Sequence, residues 1–185
     1  IAPPVPVTGW LLDEGTGTDV HQWQGPRTGD LGGHPSYAVP PPAWSTDAPF
    51  AYPGNASLEF TGTGVGQRSG WVRLDGHTSA TKGTVSFWAA NDGTGMYILD
   101  ASNGHRTLMY RTSGWDVYLN QTRLATFDAD LVPATGEWTH VALVWDNALA
   151  TDKQKIYKNG QLFATEDRSI TAKDPADVFL GSRFS

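Results

Sequence analysis

Glu137-Trp138-Thr139-His140-Val141-Ala142-Leu143-Val144-Trp145-Asp146, followed by Lys155-Ile156-Tyr157-Lys158-Asn159-Gly160-Gln161-Leu162, decides the fold. Val141, Leu143 and Trp145 recur at period two, which puts them on one face of a strand running from Thr139 to Asp146. Asn159-Gly160 is the preferred two-residue hairpin turn, because both residues tolerate positive φ, so Lys155 to Lys158 should pair back on Gln161 to Thr165. Upstream, Leu58 to Thr61, Trp71 to Leu74, Thr84 to Ala89, Met96 to Ala101, Arg106 to Arg111, Asp116 to Asn120 and Arg123 to Phe127 read as brief strands between turn residues. Gly9 to Leu12 gives a further short apolar strand. Asp19 to Pro53, rich in Gly and Pro, is expected to be mostly irregular connection. No sustained helical periodicity and no internal repeat occurs, so the fold class is all-β, a sandwich or jelly roll of antiparallel sheets.

Composition agrees. The 185 residues suit one domain, and 21 Gly, 12 Pro and 8 Trp with only 17% charged residues favour turns and strands over exposed helices. Thirteen Lys and Arg against 19 Asp and Glu leave a net charge of −6, which argues against a nucleic-acid groove. There is no cysteine, hence no disulfide, thiolate metal site or cysteine nucleophile. No apolar run is long enough for a membrane-spanning helix. Residues 1–8 carry three prolines and read as a linker or arm, with the sandwich over residues 9–185.

Five segments stand in one order: Trp10-Leu11-Leu12-Asp13-Glu14-Gly15-Thr16-Gly17, Leu58-Glu59-Phe60-Thr61-Gly62, Val85-Ser86-Phe87-Trp88, and the two quoted first. This set resembles the laminin-G-like branch of the concanavalin A-like lectin and glucanase superfamily. The resemblance implies a jelly-roll sandwich of two antiparallel sheets, one concave, in extracellular or cell-surface modules that bind glycans or proteins. It also implies that Val178-Phe179-Leu180-Gly181 is the penultimate strand. On that reading the closing strand would come from a longer product or, by strand exchange, from a neighbouring chain.

Catalysis by a glycosidase of this superfamily would need paired carboxylates on one strand, and Glu14, Glu59, Glu137 and Glu166 sit on separate elements. A lyase would draw on His105 with Tyr110 or Tyr118, but His105 reads as a loop residue beside Asn103-Gly104. The five histidines, His21, His34, His77, His105 and His140, show no metal-ligand spacing, and His140 is expected to be buried in its strand with one hydrogen-bond partner. Laminin-G-like modules often hold one calcium ion near the first strand. Asp13, Glu14 and Asp19 could supply its oxygens, the alternative being a polar turn capped by its own Asp.

Eight tryptophans call for division between core and ligand. Trp10, Trp88, Trp138 and Trp145 lie in the motif strands and are expected in the core. Trp23 and Trp44 lie in the irregular stretch, where exposure would suit stacking on a sugar. Along the strand from Trp115 to Asn120, Asp116, Tyr118 and Asn120 share one face. An aromatic flanked by Asp and Asn matches glycan recognition, with Arg106 and Arg111 on the preceding strand as donors. Asn55-Ala56-Ser57 and Asn120-Gln121-Thr122 match the N-glycosylation acceptor pattern. The expectation is a non-catalytic extracellular carbohydrate-binding or adhesion module. Its rival is a structural or assembly module making protein contacts, for which a broad apolar patch around Trp23 and Trp44 would speak.

Overall fold

The computed structural model describes residues 9–23, 25–33, 39–51, 53–61, 70–75, 81–90, 96–101, 106–111, 114–119, 122–127, 134–169 and 177–181. The expected 1–8 arm, the Asn120 sequon and His34, His77 and His105 lie outside them. The described residues form fourteen strands in three antiparallel sheets.

The deciding stretch folds as read. Strand β11 (Thr139–Asp146) alternates strictly, with Thr139, Val141, Leu143 and Trp145 buried and the intervening residues half-buried. It pairs with β12 (Gln154–Lys158) on one side and β6 (Lys82–Ala89) on the other. Strand β13 (Gln161–Glu166) completes a four-stranded sheet in the order β13-β12-β11-β6. Asn159 at φ 50 and Gly160 at φ 78 make the turn with both central residues left-handed, the geometry that matches the twist of the flanking strands.

The larger sheet has eight strands, ordered β1-β2-β5-β14-β7-β8-β9-β10. They are β1 (Asp19–His21), β2 (Thr28–Gly32), β5 (Trp71–Asp75), β7 (Met96–Ala101), β8 (Arg106–Arg111), β9 (Gly114–Leu119), β10 (Thr122–Phe127) and β14 (Asp177–Gly181). Strand β14 is therefore interior, paired with β5 and β7. Val20, Leu31, Val72, Leu74 and Val178 cluster as a buried core on one side of this sheet. Against it pack Trp10, Leu12, Trp44, Leu58 and Phe60. The last three come from or adjoin a small hairpin of β3 (Ala43–Ser45) and β4 (Ser57–Glu59).

Two expectations need correction. Gly9 to Leu12 is not a strand: Trp10 makes an isolated bridge to Gln22, and Leu12 has φ 54, which breaks extended backbone. The stretch from Asp19 to Pro53 is less irregular than its composition suggested, because it contributes β1, β2 and β3. Its glycines serve close packing: a Cβ on Gly29 would collide with the Arg73 carbonyl across the β2–β5 ladder.

Candidate functional site

Antiparallel register aligns residues across strands, and directly opposed residues share one side of the pleat. Following the pairs outward from Tyr118 gives Thr107 on β8, Asp100 on β7, Phe179 on β14, Arg73 on β5, Asp30 on β2 and Asp19 on β1. In the other direction Tyr118 faces Arg123 on β10. One transverse row thus crosses all eight strands on the side opposite the Val72 and Leu74 core positions. At 4.7–4.9 Å per strand it is roughly 33 Å long. From β1 to β10 it reads Asp19, Asp30, Arg73, Phe179, Asp100, Thr107, Tyr118, Arg123.

Among the described side chains of this row, Asp30 and Arg73 form an ion pair and Phe179 is buried. Arg73 Nη2 lies 2.7 Å from Asp30 Oδ1, with the two side chains 43% and 35% exposed. Beside them Phe179 packs edge-to-face on Trp71, centroids 5.7 Å apart. Trp71 Nε1 donates to the Gly33 carbonyl at 3.2 Å.

Register also sorts the expected ligand residues. Position 116 faces Met109, and position 111 faces Gly114, so positions 111, 116 and 118 fall on the same side. Arg106 faces Ala101 and alternates to the opposite side, which separates it from Tyr118. Asn120 lies outside the described residues. Arg123, opposite Tyr118, was not singled out from sequence. The two-residue Asn120-Gln121 connection between Leu119 and Thr122 was the available signal, because it fixes that register. Asp75 opposite Asp177 is a second missed juxtaposition.

Trp23 is 54% exposed, in keeping with its expected exposure. Trp44 is instead half-buried against the core, and its indole Nε1 donates to the Gly17 carbonyl at 2.9 Å. Trp145 is buried and Trp10 packs on the core, as expected of motif tryptophans. Trp88 departs from that expectation at 39% exposed. His140 is half-buried, its ring tilted against Trp88 with centroids 5.3 Å apart, where burial in the core had been expected.

Glu14 Oε1 accepts the His21 main-chain N–H at 2.7 Å and lies 3.6 Å from His21 Nδ1. Glu14 Oε2 is buried with no hydrogen-bond partner among the described residues. Asp19 is exposed at the start of β1 and faces Asp30. Among the described residues no three His, Cys, Asp or Glu side chains converge as a metal-holding group. Asp13, Glu14 and Asp19 are thus not gathered into a cage of carboxylates.

A laminin-G family model, described as the concanavalin A-like lectin/glucanases superfamily, matches residues 66–185. The chain belongs to this family. No curated protein matches it. The laminin-G chain is similar to domain 4 of an extracellular arabinanase from Geobacillus stearothermophilus, solved in complex with arabinotriose. That likeness has TM-score 0.59 and 16% identity over 85% of this chain and 74% of the other. It is also similar to the binding domain of botulinum neurotoxin DC in complex with SialylT, with TM-score 0.61 and 12% identity. There it covers 95% of this chain and spans 42% of the toxin domain's length. At these identities the likenesses establish the laminin-G chain's concanavalin A-like fold and leave its ligand open.

Proposed function

We propose that this domain is a non-catalytic, extracellular carbohydrate-binding or adhesion module that holds an extended glycan across the eight-stranded sheet. The observation carrying this reading is the transverse row through Asp30, Arg73, Asp100, Thr107, Tyr118 and Arg123, in which Phe179 is buried and serves as packing between Arg73 and Asp100. A sugar presents an apolar C–H face and a hydroxyl edge, and a row of aromatic, carboxylate, hydroxyl and guanidinium groups suits both. The arabinotriose and SialylT complexes of the two similar structures support a saccharide over a protein ligand.

Affinity electrophoresis in gels containing arabinan, xylan or β-glucan tests it. Tyr118→Ala should weaken retardation about tenfold, with the melting midpoint nearly unchanged. Normal retardation of the variant refutes the assignment. Because register sets Asp75 opposite Asp177, the same polysaccharides should be followed for new reducing ends. Turnover that vanishes in Asp177→Asn would make this an enzyme.

A further inference from the structure

The four-stranded sheet has an outer face of its own. On β6, Ser86 and Trp88 are exposed and alternate with half-buried Val85 and Phe87. Trp88 faces His140 across the β6–β11 ladder, and the rings lie 5.3 Å apart at 54°. Phe50, 49% exposed, meets Trp88 edge-on with centroids 5.0 Å apart and planes at 78°. Phe50 reaches this place because its loop is pinned. Trp138 Nε1 donates to Asp47 Oδ1 at 3.0 Å, Ser57 Oγ donates to the Asp47 carbonyl, and Asn55 Nδ2 donates to the Phe50 carbonyl.

Next to these rings the next row is low and then rises. Ser86 faces Ala142, Ala142 faces Tyr157, and Tyr157 faces Leu162, which is 54% exposed. Two small residues therefore floor a shallow groove between Trp88 with Phe50 and Tyr157 with Leu162, two strand spacings across and one row along, or roughly 12 Å. At its hairpin end a depression is lined by Lys158, Asn159, Gln161, Leu162 and Phe163. Asn159 Oδ1 accepts the His140 N–H at 3.0 Å, and the Asn159 N–H donates to the His140 carbonyl at 2.8 Å. That reciprocal pair ties the depression to the aromatic rim.

We infer that this groove is a second saccharide site, in which one or two sugar rings stack on Trp88 while hydroxyls reach Ser86 and the Asn159 amide. It rests on a different sheet from the Tyr118 row and goes beyond that reading. A protein-docking surface fits less well, because hydroxyl and amide groups interrupt the exposed rings. With sites on the outer faces of two different sheets, one domain would bridge two glycan chains, and avidity on polymers would exceed that on trisaccharides.

The test uses the full chain with arabinotriose, soluble arabinan, xylan and β-glucan as probes, and the variants Trp88→Ala, Ser86→Glu, Tyr118→Ala and Trp88→Ala/Tyr118→Ala. Ser86→Glu fills the groove floor at an exposed strand position and keeps Trp88, so a folding defect at Trp88 cannot imitate the result. Expected is a loss of about tenfold on polymers for both groove variants, residual binding in Tyr118→Ala, and none in the double variant. Ligand-induced quenching of tryptophan fluorescence should persist in Tyr118→Ala and shrink in Trp88→Ala. Wild-type binding in both groove variants overturns the second site and leaves the Tyr118 reading intact, whereas loss of all binding in Tyr118→Ala alone assigns everything to the larger sheet. If Trp88→Ala leaves saccharide binding intact and abolishes self-association in sedimentation, the patch is a protein contact and the proposal fails.

Discussion

Asn159 joins two separable contributions at one residue, and substitution can measure each. Its φ of 50 lies in the left-handed region, and its Oδ1 accepts the His140 N–H at 3.0 Å. Asn159→Ala removes an exposed hydrogen bond, a loss of about 1 kcal/mol, and forces a Cβ without a compensating polar group into αL, at a further cost of about 1 kcal/mol. The sum is about 2 kcal/mol, or a fall in melting midpoint of about 4–8 °C for a chain of this length. Asn159→Gly loses the hydrogen bond but not the backbone freedom, so it should fall by about half as much. Asn159→Asp keeps an acceptor and tolerates αL, so it should stay close to wild type. Urea melts and thermal scans monitored by circular dichroism supply the numbers. Equal losses in the Ala and Gly variants refute the strain share, and an Asp variant as weak as Ala refutes the hydrogen-bond share.

Gly83→Ala should destabilise by about 1–3 kcal/mol, since its Cβ would stand 2.5 Å from Trp145 Cζ2 in the packed face of the smaller sheet; a wild-type urea midpoint would disprove that contact. Asp30→Asn should cost under about 1 kcal/mol despite the 2.7 Å pair with Arg73, because both groups are more than a third exposed. Any change it causes in polysaccharide retardation would then report on the row and not on folding. Asp13, Glu14 and Asp19 do not converge, so any calcium ion would have to be held chiefly at the buried Glu14 Oε2, and it should raise stability by about 2.7 kcal/mol at a hundredfold excess over its dissociation constant. Overlapping melting curves in calcium and in chelator dispose of the ion.

Sheet elements were legible wherever burial on one face imposed alternation. Val141, Leu143 and Trp145 are 0%, 5% and 8% exposed, and the strand they predict has the bounds observed, Thr139–Asp146. Met96–Ala101 and Arg106–Arg111 also coincide with their reading. Failure came where local chemistry and long-range pairing disagree. In Thr28-Gly29-Asp30-Leu31-Gly32 the glycines read as loop, yet Gly29 is where the backbones of β2 and β5 approach too closely for any side chain. Only the partner strand, more than forty residues away, makes that visible.

The candidate site divides along the same line. Tyr118 and Asp116 could be put on one face from a single strand, but a row needs partners from strands more than a hundred residues apart, as in the Arg73–Phe179 pair, and register is a property of pairs. Trp88 is more instructive. Val85 and Phe87 already claim the inward positions of β6, so strict alternation sends Trp88 outward with Ser86, where it is found. Its motif context argued for the core, and the period-two rule was the sounder guide because β6 pairs with β11 in unbroken register. What sequence could not supply was Phe50. Its place against Trp88 depends on Asp47, which takes a hydrogen bond from an indole ninety-one residues further along the chain. A solvent-facing tryptophan on a strand is a common surface feature. One supported by a second ring from a pinned loop, above a floor of Ser86 and Ala142, has its orientation held before any ligand arrives, and that preorganisation is what separates a stacking site from an exposed side chain.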